Sequence, residues 1–216
     1  MKRKKQIKNN FLAFIPARGG SKRIKNKNLK NFRGKPLIFW TLKNSLNSKY
    51  IDKIIVSSDS NQILKYSNKI LKNKFILSRR PKYLATDKSK VEKTLIYEIK
   101  KHKLDNFKYI VLLQPTSPLR SNKLLDSTLK TILKRKINSL VTVRDINKTK
   151  VIKKKFKKLI RLNFNRNLFI SGEIYIFKTK NFLKFHKIIT KDCYYFLSNG
   201  IYSDFDYPEE FIGSNK

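Results

Sequence analysis

The sequence predicts a three-layer α/β/α sandwich built on a mostly parallel sheet. Short apolar runs alternate with amphipathic stretches along almost the whole chain. Several runs are nearly continuous in Ile, Val, Leu and Phe, as strands covered on both faces require. Most of the runs also end in a polar loop, and open sheets of this class bind ligands beyond the carboxyl ends of their strands.

Strands are expected at 11–17, 53–59, 74–80, 109–115, 139–145 and 173–179. Helices are expected at 36–48, 60–72, 90–103 and 122–136, the last placing Leu124, Leu125, Leu129, Ile132 and Leu133 on one face. The pattern weakens at 146–168, which reads as an excursion from the sheet, either a small β-rich arm or an oligomer contact. No repeat or linker stands out, so residues 1–216 are expected to form a single domain.

Composition restricts the function classes. The 52 Lys and Arg residues against 14 Asp and Glu give a formal charge of +38, which ordinarily points to a nucleic-acid partner. Here the lysines are spread along the chain together with many Asn and Ile residues. These three residue types share A- and T-rich codons, so base composition can supply much of the excess, and no specific nucleic-acid partner is expected. The single cysteine, Cys193, excludes an internal disulfide and a cysteine-based zinc site, and reads as a small buried residue. The N-terminal "MKRKKQIKNN" leads into only about seven apolar residues before Pro16 and Arg18, too short for a membrane span. A cytoplasmic protein without a membrane partner is expected.

The loop after the first strand, Ala17-Arg18-Gly19-Gly20-Ser21, matches neither a Walker A loop nor a G-x-G-x-x-G fingerprint. Two adjacent glycines still permit close backbone approach, and successive amides can form an anion-binding concavity. Arg18, Lys22, Arg23 and Lys27 would add charge-assisted contacts to phosphate; a plain turn in a lysine-rich chain is the alternative. In "LLQPTSPLR" two nearby prolines stiffen a loop that carries Gln114, Thr116, Ser117 and Arg120. Asp204 and Asp206 are two apart, so an extended backbone would point both carboxylates to one side, as a Mg²⁺ site beside phosphates needs. A helix N-terminus near Pro208 is the other reading of that pair. His102 and His186 read as surface or helix-end residues without chemistry.

Six segments together resemble the acylneuraminate cytidylyltransferases: "IPARGGSKRIKNKNLKNFRGKPLI", "IIVSSDS", "RPKYLATD", "LLQPTSPLR", "SGEIYIF" and "SDFDYPEEF". They follow the family's order over nearly the whole chain. The resemblance implies a nucleotide-diphospho-sugar transferase-like, Rossmann-like fold. It also implies that CTP is joined to a nine-carbon 2-keto sugar acid, releasing pyrophosphate. By it Arg18, Gly19, Ser21 and Lys27 would hold the triphosphate, Arg18 and Lys27 acting in catalysis. Asn28 and Arg80 would read cytosine, backed by Ala17, with Asp87 shaping the pocket. Gln114, Thr116, Ser117 and Ser171 would face the sugar, and Asp204 and Asp206 would carry Mg²⁺. A homodimer is implied as well.

The octulosonate cytidylyltransferases share this chemistry but lack a "QPTSPLR" segment, and the pseudaminic acid synthetases share the opening but usually differ at that segment, which together favours a sialic or legionaminic type of sugar. Two alternatives are an octulosonate-type enzyme and a non-catalytic relative that binds nucleotides or polyanions. One departure bears on specificity: where the family usually has Asn-Gly-Ala, this chain has Ser171-Gly172-Glu173. A new carboxylate is therefore expected near the sugar, with altered specificity or weakened activity.

Overall fold

The computed structural model describes residues 10–71, 75–149, 161–162 and 165–208. Its central strand, β1 (Phe11–Pro16), lies between β4 (Ile51–Ser58) and β6 (Tyr109–Leu112) and is parallel to both. Beyond β4 lies β5 (Phe75–Arg79), also parallel. On the other side come β9 (Asn165–Lys178), β7 (Ser139–Asp145) and the edge strand β10 (Tyr194–Leu197). The short β8 (Arg161–Leu162) pairs with β9, which runs antiparallel to both β6 and β7. A separate hairpin, β2 (Asn31–Phe32) with β3 (Lys35–Pro36), follows the first loop.

Helices α1 (Leu37–Asn47), α2 (Asn61–Ile70), α3 (Val91–His102), α4 (Asn122–Arg135) and α5 (Thr179–Phe185) make up the outer layers. Alternation along β1 shows how. Phe11, Ala13 and Ile15 share one core with Ile38 and Leu42 of α1, Ile63 of α2 and Leu129 of α4. Leu12 and Phe14 join the opposite core with Leu95 and Ile99 of α3 and Phe182 of α5. All five of these β1 side chains have no exposed surface. Burying each of the Phe, Leu and Ile side chains contributes roughly 1.5–3 kcal/mol, so a strand apolar on both faces is stable only between two helix layers. Ser60 and Ser121 start α2 and α4 by accepting from the amides of Ile63 and Leu124.

The four expected helices and the first five expected strands are present, with ends shifted by a few residues. The sixth strand is longer than expected, since β9 begins at Asn165 rather than Glu173. Most of 146–168 lies outside the described residues; at its borders are a 3-10 turn, Ile146–Lys148, and β8. Cys193 is buried beside Val141 and Val143, as its surroundings in sequence suggested. Among the described residues, no helix is long and apolar enough to cross a membrane.

Candidate active site

The carboxyl ends of β1, β4, β5 and β6 open into one cleft. It is lined by Arg18, Lys27, Asn28, Arg80, Gln114 and Asp206 among others and encloses about 330 Å³. A contiguous basin of about 430 Å³ lies over the glycine loop, bordered by Arg18, Ser21, Lys22, Arg23 and Lys27. Asp87 and Asp206 line both spaces. Cations therefore outnumber carboxylates around the basin, as an anionic ligand requires.

Several contacts shape the loop. The Gly19 amide donates to Asp59 Oδ1 at 2.7 Å, tying the loop to the end of β4. A Cβ on Gly19 would fall 2.8 Å from the Cβ of Ser60, closer than two carbons sit, so any side chain there forces Ser60 to shift. A Cβ on Gly20 would meet nothing within 4 Å, which leaves its backbone open on that side. The Asn28 side chain donates to the Arg18 carbonyl at 2.8 Å from the 3-10 turn Lys27–Leu29. Ile24 anchors the middle of the loop in a small core with Phe32, Leu37 and Phe205.

Phe205, buried in that small core, anchors the segment that carries the two aspartates. Lys27 Nζ donates to Asp206 Oδ1 at 2.8 Å, and Arg23 stacks 4.9 Å from the centre of the Tyr207 ring. Ser203, Phe205 and Tyr207 are buried while Asp204 and Asp206 are half-exposed, the alternation expected of an extended segment. The backbone is nevertheless pinched at Phe205, because the Asp206 amide donates to the Asp204 carbonyl at 3.1 Å. Asp206 enters the basin, whereas Asp204 lies close enough to Tyr175 to affect it. Burial first, and then Asp204 and Glu92, push the Tyr175 hydroxyl up to about 12.

Arg80 is 6% exposed and donates to Ser57 Oγ at 3.0 Å and to the Ser57 carbonyl at 2.8 Å. Burial lowers its pKa, opposed by Glu98 and Asp59. Asp87 forms an ion pair with Arg18 and lies 3.3 Å from Lys22. The Arg18 hydrogen bond is the main cause holding its carboxyl below the ordinary range. Arg18, expected on a triphosphate, is thus held across the mouth of the cleft by a residue expected on the base. Ala17 is fully buried behind the loop, its amide bonded to the Ser57 carbonyl.

In the 114–120 loop, Gln114 and Thr116 line the cleft, and Thr116 Oγ1 is buried without a hydrogen-bond partner among the described residues. Ser117 is fully buried, its hydroxyl likewise without a partner. Arg120 turns inward to the Glu173 carbonyl and Thr41 Oγ1; complete burial lowers its pKa to about 10, so it stays protonated at neutral pH. Ser171 stands apart from the cleft, since its hydroxyl donates to the Thr142 carbonyl and Oγ1. Glu173 is also away from the sugar side. It is 1% exposed and pairs with Arg144, so the expected new carboxylate near the sugar is not there. Gly172, between them, faces Gln114 and the Tyr175 hydroxyl. Both border a second cavity of about 660 Å³, which continues from the cleft past Val91 and Gln114 to Ile170, Ile188 and Ile189.

A family model described as cytidylyltransferase matches residues 12–207. The chain belongs to the cytidylyltransferase family. Its relatives include an N-acylneuraminate cytidylyltransferase of Escherichia coli, 37% identical over 54% of this chain but only 26% of that protein. A 3-deoxy-manno-octulosonate cytidylyltransferase of Wigglesworthia glossinidia brevipalpis is 31% identical over 81% of this chain and 72% of its own. Among solved structures, a CMP:2-keto-3-deoxy-manno-octonic acid synthetase in complex with CTP superposes with a TM-score of 0.68. The identity is 14%, over 92% of this chain and 94% of that one. At that identity the likeness concerns the fold, a mostly parallel sheet of the nucleotide-diphospho-sugar transferase type.

As a cytidylyltransferase fold, the chain holds two site-shaping carboxylates that sequence reasoning did not single out: Asp59 fixes the glycine loop and Glu98 lies behind Arg80. Glu173, expected near the sugar, lies behind the aspartate segment instead. Asp59 ends a strand in an acid-poor chain, and that rarity was the signal available for it. His102 is a helix-end residue, as expected, but its Nε2 lies 2.9 Å from Ser78 Oγ and 3.5 Å from Glu98 Oε2.

Proposed function

We propose that the protein transfers a cytidylyl group from CTP to a nine-carbon 2-keto sugar acid of the sialic or legionaminic type. The Lys27–Asp206 ion pair carries this reading, because it joins the glycine loop to the aspartate segment at one basin. Arg18, Ser21 and Lys27 hold the triphosphate with charge-assisted bonds. Asn28 and Arg80 flank the cytosine. Gln114 faces the sugar at the junction of the cleft and the larger cavity.

The sugar's anomeric hydroxyl attacks the α-phosphorus; the new P–O bond forms as the bond to the oxygen bridging to the β-phosphate breaks, the hydroxyl's proton passes to solvent and pyrophosphate departs. Little covalent chemistry falls to the protein, so orientation and charge stabilisation dominate. Asp204 and Asp206 are hard oxygen donors, and among the described residues no group of three or more His, Cys, Asp or Glu could hold a metal. Asp206, in the basin, supplies one carboxylate beside the phosphates, and Asp204 would have to turn from Tyr175 to supply a second; Mg²⁺ keeps several waters and takes one or two carboxylates. When bound there, Mg²⁺ would neutralise phosphate charge and stabilise the leaving pyrophosphate. The active unit is proposed to be a homodimer.

The larger cavity favours the nine-carbon acids. Leu112, Ile170, Ile188 and Ile189 offer an apolar wall to acyl or deoxy substituents, while Lys90, Lys93 and Lys187 at its border suit a carboxylate. An octulosonate offers mostly hydroxyls to such a wall. That smaller sugar remains the second reading, supported by the coverage of the octulosonate relative. Incubation with CTP, Mg²⁺ and sialic, legionaminic, pseudaminic or octulosonic acid tests both. Pyrophosphate release with a nine-carbon acid is expected; release with octulosonic acid alone selects the second reading, and none with any acid sinks both.

Gly19→Ala is a further test of the loop. Pushing Ser60 aside costs about 1–3 kcal/mol as an overpacked site. Shifting the loop by a few tenths of an ångström should cut turnover about tenfold or more, since phosphate placement is at stake. Melting temperature and turnover measured together check it; turnover within about twofold of wild type would show that the loop's position is not critical.

A further inference from the structure

We infer that the buried Arg144–Glu173 pair positions the segment that carries Asp204 and Asp206. This rests on the proposed function of those aspartates. Arg144 and Glu173 are 4% and 1% exposed. Arg144 Nε donates to Glu173 Oε2 and Nη2 to Oε1, both at 2.9 Å, a bidentate pair. Ser198 Oγ donates to Oε2 at 2.7 Å. The remaining guanidinium donors reach the Gly200 carbonyl at 2.8 Å and the Ile201 carbonyl at 3.4 Å, and the Tyr202 ring lies 5.3 Å away.

Every one of these additional partners belongs to the run between β10 and Asp204. Beyond Ser198, whose amide donates to the Val143 carbonyl at 2.9 Å, that run has no regular secondary structure. Its other end is fixed by the 114–120 loop, where the Leu119 amide donates to Ser203 Oγ at 3.0 Å and the Phe205 amide to the Thr116 carbonyl at 2.8 Å. Arg120 also donates to the Glu173 carbonyl, so the two tethers share one residue. A buried ion pair is a poor source of stability, because a well-packed apolar pair of similar volume often serves as well. What an apolar pair cannot do is direct donors at two successive carbonyls of an irregular segment. That is the contribution specific to Arg144, and Glu173 keeps its guanidinium in place.

The test uses the full chain with Mn²⁺ in place of Mg²⁺, its binding to the protein–CTP complex read by electron paramagnetic resonance. The double variant Arg144→Met/Glu173→Leu fills the space without donors. It is expected to melt near the wild type and to bind CTP without metal within about twofold, but to bind Mn²⁺ about tenfold more weakly. Arg144→Lys keeps the charge yet cannot reach Glu173 and both carbonyls at once, and should weaken Mn²⁺ about threefold. A folded variant of either kind with Mn²⁺ affinity within about 1.5-fold of wild type overturns the positioning role; Arg144→Lys decides if the double variant does not fold. A wild-type CTP complex that binds no Mn²⁺ would sink this inference together with the metal role proposed above, whereas unchanged variants sink this inference alone.

Discussion

Replacing Asp206 with alanine is expected to lower turnover by about a hundredfold or more, the scale seen when one preorganised charge-stabilising group is removed. The fold should survive. The Asp206 and Lys27 side chains are 36% and 17% exposed, so their ion pair contributes at most about 1 kcal/mol. In a domain of this size that corresponds to a melting shift of only about 2–4 °C. Asp206→Asn separates charge from shape, since the amide still accepts from Lys27 but carries no charge toward a cation. Both variants should lose turnover alike, while CTP affinity without metal holds in Asp206→Asn and improves in Asp206→Ala, where Lys27 is released toward phosphate. Turnover within about threefold of wild type in both would remove the metal role and leave Asp206 as a partner of Lys27.

Which parts of this arrangement could be read in advance follows from the range of each interaction. The β1 core was legible because five successive apolar residues admit a strand buried on both faces and little else. The glycine loop and Asp206 were legible as types of chemistry. Their meeting across 179 residues of chain depends on β6 and the 114–120 loop, which no local pattern encodes. The direction of β9 was equally hidden, because alternation marks a strand and its faces but not which way it runs beside its neighbours. Ser171 and Glu173 illustrate the consequence. Counting from the motif placed them near the sugar, yet the strand directs Ser171 to Thr142 and Glu173 to Arg144, leaving Gly172 between them toward Gln114. Short elements such as β10 and α5 escaped because four to seven residues are too few for a period to rise above composition.

Arg80→Met should produce the largest loss of stability, and its cause lies behind the site. Arg80 donates to Ser57 Oγ, and that hydroxyl donates at 2.5 Å to Glu98 Oε1, whose residue has no exposed surface. Among the described residues, Glu98 Oε2 has no hydrogen-bond partner and lies 3.5 Å from the His102 ring. Removing Arg80 takes away the buried cation on one side of a carboxylate that cannot reach water, which costs about 3 kcal/mol or more. That is a fall of roughly 6–12 °C in melting temperature. Glu98→Gln in the same chain needs no cation and should restore more than half of the loss. It should not restore CTP binding if Arg80 flanks cytosine in its own right, as proposed above, and this difference separates the two roles. His102 supplies an independent check. Burial lowers its pKa from 6.5 against the opposing pull of Glu98, so the folded protein holds that proton less tightly than the unfolded chain. Its contribution to stability is therefore complete above about pH 6.5 and declines as the pH falls below that value. Without Arg80, the unpaired Glu98 should hold the His102 proton more firmly, and the variant's melting temperature should fall less than the wild type's between about pH 7 and pH 5. Equal acid sensitivity in the two proteins, or no recovery on adding Glu98→Gln, would show that Glu98 and Arg80 are not coupled through Ser57.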